Sequence, residues 1–115
     1  MGADIARRLL LFGVETLRLA ALLPRDAIAR HVSGQWVRAA TSAGANYEEA
    51  RAAESRADFI HKLGIATKEV REACYWIDLA NASGLLTARA SALREDGRQL
   101  CAILAASVRT AKQRI

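Results

Sequence analysis

TSAGANYEEARAAESRADFIHKLGIATKEVREACYWI, residues 41–77, is the stretch whose reading decides the fold. It opens inside a run of seven small residues, Ala39 to Ala45. Glycine in a helix interior costs on the order of 1 kcal/mol relative to alanine, so Gly44 predicts a neighbouring helix packed closely enough to offset it. Asn46 lies within reach of the same seam, either as a side chain that fixes register or partner or as a partly exposed residue. Ser55 reads as a helix cap, with Asp58 three positions on as the weaker form of the capping box. From there Phe59, Leu63, Ala66, Val70, Ala73, Ile77 and Ala80 alternate by fours and threes, the pattern of a bundle seam. Ile60, Tyr75 and Trp76 fall off that seam and widen the apolar surface beyond what one neighbour needs. Gly44, Asn46, Phe59, Leu63, Tyr75 and Trp76 are therefore the candidates for helix packing and self-association.

The flanking sequence continues the helical rhythm. Ile5, Leu9, Phe12 and Leu19 predict a helix over about Asp4 to Leu22 with one apolar face. Pro24 suits the first turn of the next helix, with Asp26 close behind to meet its free amides. That helix spans about Pro24 to Ala53, roughly 45 Å at 1.5 Å per residue, along Ile28, Val32, Trp36, Ala39, Ala43, Tyr47 and Ala50. Glu69 and Glu72 read as part of a solvated acidic face, with Lys68 and Glu72 as an exposed ion pair. Gly84 suits a left-handed helix end. A fourth helix over about Thr87 to Lys112 follows Leu86, Leu93, Leu100, Ile103, Leu104 and Val108, and Gly97 marks another close approach. Strand alternation and hairpin dipeptides are lacking. The prediction is an all-α protein, an antiparallel up-down four-helix bundle assembled into a ring oligomer.

At 115 residues the chain holds one domain, residues 1–115. Hydrophobic residues make up 52% and proline occurs once, which excludes a disordered chain. Aromatics are only 5%, which favours alanine- and leucine-packed helices over a sheet core. Cys74 and Cys101 stand far apart without a C-x-x-C, as reduced, packed thiols of a cytoplasmic protein do. Arg7 and Arg8 precede an apolar run that Glu15 ends too soon for a secretory signal. No stretch approaches the roughly 20 apolar residues of a membrane span.

The net charge is +5 and unevenly placed. Residues 1–40 carry six basic groups against three acidic, residues 41–78 five against seven, and residues 79–115 six against two. Arg7, Arg8, Arg94, Arg98, Arg109, Lys112 and Arg114 form a diffuse positive surface, the candidate nucleic-acid contact. Arg109, Lys112 and Arg114 also suit a helix C-terminus electrostatically.

Catalytic patterns are missing. A di-iron bundle needs two Glu-x-x-His pairs; the chain offers one distant match, Asp58 to His61. His61 is followed directly by Lys62, the wrong spacing for a phosphotransfer histidine. No nucleophile, phosphate loop or acid–base set is present. The expectation is a protein that is not an enzyme and needs no cofactor or metal.

Residues 38–79 carry a resemblance. Ser42, Gly44, Ala45, Asn46, Glu48 and Ala50, continued by Ser55, Asp58, Phe59, Lys62, Leu63, Ala66, Lys68, Glu69, Glu72, Tyr75 and Trp76, resemble the bundle proteins encoded in the intervening sequences of bacterial 23S rRNA genes. The resemblance implies an antiparallel four-helix bundle assembled as a ring, with a pentamer as the expected form. The related accessory proteins of diversity-generating retroelements are pentameric and basic, and associate with a reverse transcriptase and nucleic acid. The family has no established enzymatic activity and supplies no functional residues to carry over. The functional expectation is an oligomeric scaffold that binds RNA, DNA or a ribonucleoprotein through distributed cations. The alternative is a protein-interaction adaptor with no nucleic-acid contact.

Overall fold

The computed structural model describes residues 2–86 and 90–114. Among them are the helices α1 (Gly2–Ala20), α2 (Ala27–Arg51), α3 (Arg56–Ala82) and α4 (Ala90–Gln113), and no strand. They stack side by side into a body of 49 × 22 × 19 Å. Each helix packs on its sequence neighbour and α1 closes on α4, while the diagonal pairs are too far apart for backbone contact among the described residues. The α2–α3 seam is the most extensive and the α1–α4 seam the least.

The pairings across the seams fix the register. Glu49 meets Lys62, Arg38 meets Glu69 and Glu72, and His31 meets Trp76, so late α2 lies beside early α3. Asp78 meets Arg94 and Ala111 meets Arg56 across α3 and α4. Leu9 lies against Gly44 across α1 and α2, and Arg8 meets Asp96 across α1 and α4.

The core follows the periodicity. Ile5, Leu9, Phe12 and Leu19 of α1 are buried, as are Leu63, Ala66, Val70, Ala73, Ile77 and Ala80 of α3, and Leu93, Leu100 and Leu104 of α4. Full burial of Leu9, Phe12 or Leu63 contributes about 1.5–3 kcal/mol each. The inner face of α2 is mostly alanine, Ala29, Ala39, Ala40 and Ala43, with Trp36 the one large side chain on it that is fully buried. Ala66, Ala73 and Ala80 of α3 are buried as well, and small side chains on both helices suit the long α2–α3 seam.

Four expectations change. Pro24 is not in the first turn of α2: the helix begins at Ala27, and Asp26 caps it by accepting from the Ala29 N–H at 3.0 Å. With that start the inward position is Ala29, so Ile28 points away and is 74% exposed. α2 is accordingly 25 residues long, shorter than the spacing suggested. Ser55 does cap α3, its Oγ accepting from the Asp58 N–H at 3.0 Å. Among the described residues Asp58 makes no return bond, so the box is half formed. Gly84 has φ +81, and past it the Leu86 N–H reaches the Ala80 carbonyl at 3.0 Å. The predicted fourth-helix start at Thr87 lies outside the described residues.

The two glycines that the sequence marked for close approach, Gly44 and Gly97, differ. A Cβ at Gly97 would stand 2.7 Å from Cys74 Sγ and 3.0 Å from Phe12 Cε1, so α4 approaches there only without a side chain. A Cβ at Gly44 would find Leu9 no nearer than 3.7 Å, an ordinary contact. The α1–α2 packing therefore does not require Gly44. No helix among the described residues is long and apolar enough to cross a membrane.

Candidate nucleic-acid and assembly surfaces

The seven cations read from the sequence divide into two groups. Arg8 is half-buried and donates to Asp96 Oδ1 at 2.6 Å and Gln99 Oε1 at 3.2 Å. Arg94 donates to Asp78 Oδ1 at 2.7 Å. Arg98 grips Glu95 with two bonds of 2.6 and 2.7 Å, and that fork holds the Glu95 carboxyl below its ordinary range. These three are compensated within the bundle. Arg7, Arg109, Lys112 and Arg114 are exposed and have no ion-pair partner among the described residues. The first turns of α1 and the last turns of α4 share one end of the bundle, so the uncompensated charge of this set gathers there.

Glu48, Glu49 and Glu54 are exposed, but Glu69 and Glu72 are not simply a solvated face. Arg38 of α2 bridges Glu69, at 2.9 Å, and Glu72 on α3. Trp76 Nε1 donates to Glu72 at 2.9 Å, and its ring stands edge-on to His31 and Tyr75, with centroids 5.9 and 5.2 Å away. The Trp76 hydrogen bond, then Arg38, hold the Glu72 carboxyl below its ordinary range. Glu72 thus turns toward Arg38 and Trp76, and no Lys68–Glu72 pair forms among the described residues. Sequence reading passed over Arg38. The available signal was Glu69 and Glu72 on one face of α3, which calls for a cation from the neighbouring helix.

Of the packing candidates, Leu63 is buried, and Phe59 and Trp76 are half-buried against the core. Tyr75 stays outside it, 58% exposed. Asn46 Nδ2 donates to the Ser42 carbonyl at 2.9 Å and Ser42 Oγ at 3.0 Å, so its amide is engaged within α2. Gly44 lines a groove of about 470 Å³ between α1 and α2. Its ridge is Leu10, Val14 and Leu17, and its floor Ala40, Gly44 and Ala45. Leu10 is 63% and Leu17 50% exposed. His61 is exposed, and no group of three His, Cys, Asp or Glu side chains among the described residues is placed to hold a metal ion.

The model of the 23S rRNA-intervening sequence protein family matches residues 4–106. The chain belongs to that family. Its fold is similar to the crystal structure of a protein of unknown function from the S23 ribosomal protein family of Bacteroides thetaiotaomicron. The two share 32% identity with a TM-score of 0.86, over 94% of this chain and 97% of the other. No curated protein matches. In this family member Glu69 and Glu72 tie α2 to α3 through Arg38, and an exposed apolar groove runs along α1 and α2.

Proposed function

We propose that this family member is a non-enzymatic helical scaffold, an antiparallel up-down bundle that assembles with its own copies into a pentameric ring and binds RNA, DNA or a ribonucleoprotein. One observation carries the reading: Arg109, Lys112 and Arg114 crowd the last turns of α4 with no acid paired to them among the described residues, and with Arg7 and Arg56 they outnumber Asp4, Glu54 and Asp58, the acids without an ion pair at the same end. Counterion release from such a cluster supplies affinity without sequence preference, and copies in a ring multiply it. Opposed cross-helix pairings support the up-down topology. The groove between α1 and α2 supports assembly, because one face carries both a leucine ridge and a small-residue floor. A ring closes when that groove meets a different face of the next copy. The free Cys74 and Cys101 support a reducing, cytoplasmic setting.

A salt titration of RNA and DNA binding tests the reading. Binding at about 50 mM salt should weaken steeply by about 200 mM, and Arg109→Gln with Lys112→Gln should flatten the slope by about one unit per lost contact. Absence of binding at low salt refutes it. The adaptor alternative would then stand on the same apolar groove, which suits an amphipathic helix of a partner.

A further inference from the structure

α4 is longer than the wall that covers it. Arg8 sits beside Asp96 and Gln99, and α1 begins only six residues earlier, at Gly2. α4 runs on to Gln113, so about two of its turns project past the start of α1. Between those turns and the beginning of α3 lies a second groove, of about 670 Å³. Its floor holds Phe59 and Ile103, both half-buried. Each wall contributes an arginine, Arg56 from α3 and Arg114 from α4, and no carboxylate among the described residues lines it.

Arg56 leans across the groove. Its Nε donates to the Ala111 carbonyl at 3.2 Å, and its terminal nitrogens have no partner among the described residues. That leaves its terminal N–H groups available to an anion. The groove is within the size range of a small-molecule site. It combines an aromatic and aliphatic floor with two cations at its sides. A planar, apolar-faced group attached to a phosphate fits both features. The bases of a duplex are stacked inside it and cannot reach such a floor, whereas those of a single strand can.

The geometry points to this α3–α4 groove as a single-strand site that takes one base against Phe59 and Ile103 and the adjoining phosphate between Arg56 and Arg114. The inference rests on the nucleic-acid reading above and names where and in what form the strand is held.

The test is fluorescence anisotropy of a short labelled single-stranded RNA and of a blunt duplex of the same sequence, on the full chain at low salt. Single strand should bind at least about tenfold more tightly than duplex. Ala106→Phe, at an exposed position of the same groove, fills the space without changing charge. It should weaken single-strand binding about tenfold or more and leave duplex binding unchanged. Arg114→Gln should weaken single-strand binding several-fold more than Arg30→Gln, the same charge change on α2, with helicity checked by circular dichroism in each variant. If neither nucleic acid binds the unaltered chain, the nucleic-acid reading itself fails, and this site with it. If RNA binds but Ala106→Phe binds single strand as well as the parent, only the groove is overturned. Equal loss from Arg30→Gln and Arg114→Gln, or displacement of RNA by polyglutamate at equal charge, would also overturn it, because the groove would then be sensing charge without a base.

Discussion

Replacing each of two helical glycines by alanine should move stability in opposite directions. Intrinsic helix preference favours alanine by about 1 kcal/mol at either position. At Gly44 little opposes it, since the new methyl meets Leu9 at 3.7 Å or more. Gly44→Ala should therefore stabilise the monomer by about 0.5–1 kcal/mol. At Gly97 the methyl lands 2.7 Å from Cys74 Sγ and 3.0 and 3.2 Å from the Phe12 ring. Phe12 and Cys74 are both buried, so neither can swing into solvent. Overpacking of this kind costs about 1–3 kcal/mol, which outweighs the helix preference and leaves Gly97→Ala less stable by up to about 2 kcal/mol. Urea unfolding followed by far-ultraviolet circular dichroism reads both changes as shifts of midpoint at constant slope. Cys74→Ala removes the closest obstacle, so the Gly97→Ala, Cys74→Ala double variant should recover about 1 kcal/mol relative to additivity. Gly97→Ala at or above parental stability would refute the account of how α3, α4 and α1 meet.

Four further outcomes are expected. Thr16 Oγ1 is buried without a hydrogen-bond partner among the described residues, so Thr16→Val should stabilise by about 1 kcal/mol, measured as a rise in Tm. The folded pKa of Glu72 is depressed, so its contribution is present above the unfolded glutamate value near about 4.3 and fades as pH falls through the lower folded value; Glu72→Gln should be less stable than the parent at pH 7 and lose less stability on acidification below that point, measured by urea unfolding across pH. Burial raises the Cys74 thiol and covers it, so a thiol reagent should modify Cys101 well before Cys74, read by peptide mass mapping. Leu10→Glu with Leu17→Glu should leave helicity intact and reduce solution mass to that of one chain by light scattering; an unchanged mass would remove α1 from the assembly surface.

Most of the fold was legible because the core positions repeat at helical spacing. Leu63 to Ala80 could be read as a seam since every member faces the same way, and Ser55 and Gly84 announced the ends of α3 through their own chemistry. The start of α2 was misread because both Pro24 and Asp26 suit a helix beginning, and which one wins depends on the path of Leu23 to Asp26 over the bundle end. The surface was harder. Charge counts treat Arg8, Arg94 and Arg98 like Arg109 and Lys112; the neighbouring helices reveal the acids at 2.6 and 2.7 Å from Arg8 and Arg94, whereas Glu95, three residues before Arg98 on the same helix, was a pair the spacing already offered. Arg38 illustrates the converse: its role depends on residues more than thirty positions away.

The thin seam between α1 and α4 has a further consequence. α1 leans on α2 along its length but touches α4 least of all the packed pairs, through the turns around Arg8 and Phe12. Its amides are therefore the ones to exchange first in hydrogen–deuterium measurements, before those of α2 and α3. The same helix bears the exposed leucines of the proposed contact between copies. Dilution should then loosen α1 ahead of the rest, and the melting temperature should rise with protein concentration.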